Sequence, residues 1–212
     1  MRFAFFITIA VASLHAQGTP PKPKATDYPV HVQLDTVTLA AEYLVHSLPT
    51  ARATLIAKDY LVVDAAFYGP SMSSLKIAPS QFTLRINGRG EPLTSELPGL
   101  VAASIKYPGQ RPGFTSSAGL GPVTIGSRPP PSQFPGDGND RPLPTGQVTV
   151  IEKEDEDAIE YRIQNASLPE GEKGLPRSGL IYFPYRGRIK SIHSLELLYD
   201  GPMGKTTLKL LP

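Results

Sequence analysis

The run GPMGKTT at 201–207 places a lysine and a threonine behind a glycine-rich turn, residue types that can cradle and neutralise a phosphate. A phosphate-binding loop of the form G-x-x-x-x-G-K-[ST] needs its first glycine at position 199, and Tyr199 stands there. Such a loop must also open a helix whose N-terminus faces the phosphates. Here the chain ends soon after Thr207, and its last residues alternate as a strand. The flanking runs LELLY and TTLKLL predict a β-hairpin with DGPMGK as its turn and Lys205 exposed on it. No nucleotide is expected to bind.

The other chemistry-bearing residues are scattered. His15 falls in the leader described below. His31, His46 and His193 lie far apart, none is spaced i, i+4 from a second ligand, and the chain has no cysteine. A zinc site would have to be built from distant strands, so no metal is expected. A serine nucleophile needs a base and an orienter, and no G-x-S-x-G elbow is present. Ser71, Ser73 and Ser74 read as a turn, and Ser116 and Ser117 as part of a loop. The acidic run EKEDED lacks the glycine bend of a calcium loop and contains Lys153. It reads as a solvated turn. No catalytic residue and no cofactor is expected, and the chain reads as non-enzymatic. The segment FPYRGR is the best candidate for a partner surface. Its neighbourhood offers Tyr182, Tyr185, Arg186 and Arg188 near one end of the predicted body. The segment RPPPSQFPG could serve as a polyproline ligand for an aromatic groove, but a plain spacer is the better reading.

The chain has 212 residues, 23 prolines and 19 glycines, a composition of many turns. It opens MRFAFFITIAVASLHAQG: one arginine, an apolar run from Phe3 to Leu14, and Ala16 before a cleavage point. This is the pattern of a secretory signal peptide, 1–16, and the run is too short to span a membrane. The mature chain is expected to be exported, periplasmic or extracellular, and to contain no transmembrane span. Formal net charge is +2, with no basic face interleaved with aromatics, so nucleic acid is not an expected partner. Charge is segregated instead. Residues 147–175 carry eight acids against three bases, and 177–212 carry six bases against two acids, as if the two stretches lay near each other.

Residues 17–27, QGTPPKPKATD, read as a flexible spacer. VHVQL, YLVVDAAFY and QFTLRING alternate as strands, and Asn87-Gly88 signals a turn. In YLVVDAAFY, Leu61, Val63, Ala65 and Phe67 share one face, with Asp64 on the other. Residues 36–46 and 100–107 suit either strand or helix. Residues 108–146 hold nine prolines and eight glycines and read as a disordered insertion. QVTVIE, AIEYRIQ, SGLIYFPY, HSLELLY and TTLKLL then read as further strands. The pattern is all-β, a sandwich or barrel. One sandwich built from 28–107 and 147–212 and split by the insertion accounts for the strands better than two small domains.

Two stretches carry a family resemblance. DYLVVDAAFYGPSMSSLKIAPSQFTLRING and SLPEGEKGLPRSGLIYFPYRGRIKSIHSLELLYDG resemble the opening and closing halves of secreted bacterial immunoglobulin-like domains of unknown function. The resemblance covers roughly 30–107 and 167–211 and extends to uncharacterised exported proteins of environmental Gram-negative bacteria. It implies an immunoglobulin-like β-sandwich and no catalytic residues. The expected role is an accessory or binding module of the cell envelope, with a protein or envelope component as partner. The alternatives are a structural subunit of a surface assembly and a small carboxylate-dependent hydrolase.

Overall fold

The computed structural model describes residues 18–50, 52–108 and 153–211. The expected signal peptide 1–16, the expected insertion beyond Pro108 and the strand expected at QVTVIE lie outside the described residues.

Twelve strands and two α-helices follow one another in the described chain: β1 (Val30–Leu34), β2 (Val37–Tyr43), β3 (Ser47–Pro49), β4 (Thr54–Ile56), β5 (Tyr60–Tyr68), β6 (Ser74–Ile77), β7 (Phe82–Ile86), β8 (Leu93–Thr94), α1 (Pro98–Lys106), α2 (Lys153–Ala166), β9 (Gly171–Gly174), β10 (Arg177–Pro184), β11 (Leu195–Gly201) and β12 (Gly204–Leu211). The first sheet runs β1-β2-β5-β10 and the second β12-β11-β7-β8; β3-β4 and β6-β9 are short separate ladders. All these ladders are antiparallel. The chain is an all-β sandwich with an immunoglobulin-like strand order. β5 pairs with β10 across the sandwich halves, β7 pairs with β11, and β11–β12 closes as a hairpin. These are the pairings that strands B–E, C–F and F–G make in that fold.

Local chemistry fixes the corners. Asp35 turns β1 into β2 with φ 50°, a left-handed conformation that aspartate tolerates. After β7, Asn87 and Gly88 both take positive φ, 54° and 61°, as the sequence signals. The Asn87 side chain then fastens a remote loop. Its Nδ2 donates to Ser191 O at 2.9 Å, and its Oδ1 accepts from the backbone of His193 and Ser194 at 2.7 and 3.1 Å.

The inner core draws on both sides of the insertion. Leu39, Leu61, Val63, Phe67, Phe82 and Leu84 from before it pack with Ile181, Phe183, Leu195, Leu197, Tyr199 and Leu208 from after it. The inward parity of YLVVDAAFY and QFTLRING is as the alternation predicts.

The first sheet is covered on its outer face as well, and here two expectations are corrected. AIEYRIQ is not a strand, and the described part of EKEDED, 153–157, is not a free turn: both belong to α2. Ile159, Ile163 and Ala166 satisfy a helical repeat, and they pack with Val101, Ala102 and Ile105 of α1 against Val62, Leu180 and Tyr182 of the sheet. Tyr161, which a strand would have buried, is 59% exposed. The ambiguous 100–107 stretch is α1, opened by Pro98, and 37–43 is strand. The described part, 18–27, of the expected 17–27 flexible spacer instead lies along the outer face of the first sheet. Tyr28 at their end packs on Ala40 and Ala66. β5 is thus buried from both sides, which explains why its sequence is almost continuously apolar. Among the described residues no helix is long and apolar enough to cross a membrane.

Candidate functional site

Of the four residues nominated from the sequence, the structure brings Tyr185 and Arg186 together in a groove. It buries Tyr182 and leaves Arg188 outside. Tyr182 is 1% exposed, because β10 has no solvent-facing side. Its hydroxyl donates to Ser167 Oγ at 3.1 Å, while Ser167 donates to Ile163 O at 2.6 Å. Burial pushes the Tyr182 phenol well above its usual range. The residue joins α2 to the sheet and is not a contact surface. Tyr182→Phe is expected to cost about 1 kcal/mol, the typical net worth of one such hydrogen bond, as a shift of the urea midpoint with unchanged slope. Arg188 is exposed, and its contribution is a carbonyl that accepts from Tyr185 OH at 3.2 Å and Ser191 Oγ at 2.7 Å.

The groove has a volume of about 400 Å³ and is lined by Asp59, Tyr60, Glu96, Leu100, Pro184, Tyr185 and Arg186. Register places Tyr60 opposite Pro184 where β5 begins and β10 ends. Glu96 is held by its amide, which donates to Tyr182 O at 2.8 Å. Leu100 comes from α1. The Tyr185 ring folds over Gly187, where an added Cβ would sit 2.4 Å from the phenol oxygen. A side chain at this position would therefore have to displace the Tyr185 ring. Burial, then the nearby carboxylates of Glu96 and Asp59, raise the Tyr60 phenol above its usual range. Arg186 Nη2 lies 3.6 Å from Asp59 Oδ2, with the two side chains 62% and 44% exposed. The groove therefore has aromatic and aliphatic walls with both signs of charge on its rim. That suits polar and apolar contact with another molecule. Asp59 is open to water and ion-paired, an unsuitable setting for one half of a shielded acid–base pair.

A second polar cluster was not singled out from the sequence. Asp64, on the outer face of β5, lies opposite Glu42 of β2. Thr19 Oγ1 donates to Asp64 Oδ1 at 3.1 Å, and Tyr28 OH reaches Oδ2 at 3.4 Å. Lys22 pairs with Glu42 at 2.6 Å. Burial, only partly offset by these hydrogen bonds, pushes the Asp64 carboxyl up to about 6. The one signal in the sequence was an aspartate in the middle of an apolar strand.

The 201–207 run is a hairpin. Gly201 pairs with Gly204, Gly204 has φ 100°, and the chain passes straight into β12. Lys205 Nζ sits 2.6 Å from Asp200 Oδ2. With Thr83, Leu198 and Thr207 it lines a shallow trough of about 590 Å³ on the outer face of the second sheet. The histidines stay apart. His46 Nδ1 lies 2.6 Å from Tyr60 O, in a structural contact. Among the described residues no group of three or more His, Cys, Asp or Glu side chains is placed to hold a metal ion. Comparison with protein-family models, curated proteins and solved structures finds no match to this chain.

Proposed function

We propose that this chain is an exported, non-enzymatic binding or accessory module of the cell envelope, related to the secreted bacterial immunoglobulin-like domains it resembles. The surface by which it engages a protein or envelope component is the groove at the β5/β10 end. The observation that carries this reading is the convergence of Tyr60, Leu100, Tyr185, Arg186 and Glu96 at strand ends and a helix start on a doubly covered sheet. Rigid scaffolds present binding residues in this way. The hydrolase alternative is weaker, because Asp64 and Glu42 are occupied by the chain's own Thr19, Tyr28 and Lys22. The assembly-subunit alternative would use β12, the outer strand of the second sheet. Its exposed Lys205 and Lys209 are the kind of charge that discourages edge pairing.

The test is retention of envelope components from a Gram-negative extract by the immobilised protein, compared with an Arg186→Glu, Tyr185→Ala variant shown to be folded by circular dichroism. The expected result is a component held by the wild type and lost by the variant. Equal retention by both, or none by either, overturns the groove assignment. Export is tested separately by N-terminal sequencing, where a start at Gln17 is expected and an intact Met1 on cytoplasmic protein overturns it.

A further inference from the structure

We propose that residues 18–28 form a proton-locked strap: they seat on the first sheet most tightly when Asp64 is protonated and release more readily when it is ionised.

The geometry is specific to seating. Gly18 N donates to Asn165 O of α2 at 2.6 Å, and Gly18 lies so close to β10 that a Cβ would stand 2.1 Å from Ser178 O. Ser178 Oγ donates to Thr19 O at 2.7 Å. Tyr68 OH donates to Lys22 O at 2.7 Å, and Tyr28 rests in the shallow place left by the paired alanines Ala40 and Ala66. Between these anchors the strap closes over Asp64. A carboxylate half-buried in this way exchanges much of its water for two hydroxyl donors, a poor substitute for full hydration.

The charged and titratable groups around Asp64 are few. Glu42 on β2 opposes its ionisation, while Lys22 of the strap favours it but is engaged by Glu42. The strap also brings Tyr28, and Asp27 near Tyr68, whereas β5 adds Tyr68 itself. β10 offers only the hydroxyl of Ser178 and α2 a carbonyl. His31 of β1 stands opposite Ala40 on the far side of β2.

With the strap closed the carboxyl titrates near 6; once it is exposed its ordinary value is 3.8. The closed form therefore holds the proton more tightly. Its proton-linked advantage is complete below about pH 4 and is lost as pH rises through 6. A difference of about two pH units corresponds to roughly a hundredfold change in the closed-to-open ratio.

The test is hydrogen exchange of the full chain at pH 4.5 and 7.5, corrected for intrinsic rates and read at the Gly18 amide and its neighbours in 18–27. The expected result is opening that rises by roughly twenty- to thirtyfold at the higher pH, because at pH 4.5 the open form is already mostly ionised and part of the full effect is gone. Asp64→Asn should remove that dependence, and Glu42→Gln should retain it. Opening that does not change with pH in the wild type, or that changes equally in Asp64→Asn, overturns the proposal. Loss of the dependence in Glu42→Gln reassigns the effect and overturns it too. Should Asp64→Asn fail to fold, the wild-type Asp64 carboxyl carbon resonance decides. A midpoint near 6 supports the strap, and one in the ordinary carboxylate range overturns it.

Discussion

Gly179→Ala is expected to destabilise the domain by about 3 kcal/mol or more, the upper end of overpacking costs. Gly179 sits in the middle of β10, where the chain leaving α2 crosses at backbone distance. An added Cβ would lie 2.4 Å from Leu168 Cα, 2.5 Å from Leu168 N and 2.7 Å from Ser167 C. These are main-chain atoms, and Leu168 N is itself fixed by its hydrogen bond to Leu180 O at 2.9 Å. No side-chain rotation relieves the clash, so either the α2 connection lifts off or β10 moves within the sheet. Gly174→Ala is the control, since nothing lies within 4 Å of a Cβ there. It should change stability by no more than about 0.5 kcal/mol. Urea unfolding of both variants checks the pair, and similar midpoints would show that the close approach is not structurally decisive.

Phe67→Ala is expected to cost about 3–5 kcal/mol, the range for deleting a buried aromatic ring. Phe67 belongs to the first sheet, whereas Phe82 and Tyr199 belong to the second. Their ring centroids lie 6.0 Å (67–82), 5.7 Å (67–199) and 5.1 Å (82–199) apart, at tilted or edge-on angles. The cluster is where the two sheets are held face to face, and all three residues are within 1% of complete burial. Truncation leaves a void bounded by strands whose positions are fixed by their own ladders, so collapse into it is limited. Thermal unfolding should show the loss, with Phe67→Leu recovering a large part of it.

Much of the sandwich could be read from alternation, and the exceptions share one cause. β5, β7, β11 and β12 were legible because each has an apolar row at every second residue. α2 was misread because Ile159 and Ile163 fit both a period of two and a helical i, i+4 spacing. Tyr161 between them tipped the choice toward a strand, yet it faces solvent. Tyr182 was misplaced for a related reason. Alternation assigns one face of β10 to the core and the other to water, but α1 and α2 cover that second face. The same cover turns the proline-rich 18–27 segment from an expected spacer into part of the layer, through pairings such as Gly18 with Asn165 that no local pattern announces. Of the candidate surface, Tyr185 and Arg186 were found from their own types. Asp59, Tyr60, Glu96 and Leu100 reach the same groove from three other segments, and only the pairing of β5 with β10 reveals it.

That pairing also dictates an order of events during synthesis. Tyr60 finds Pro184 and Phe67 finds Arg177, so the central strand of the first sheet waits for a partner made long afterwards. The same holds for β7, whose neighbour β11 comes still later. A nascent chain that has reached only Pro108 carries the inner rows of β2, β5 and β7 without β10, β11 and β12, which complete the two sheets around them. Its contacts are of the long-range kind that slow folding and leave apolar strands open to wrong partners. The core closes only when the last hairpin is complete.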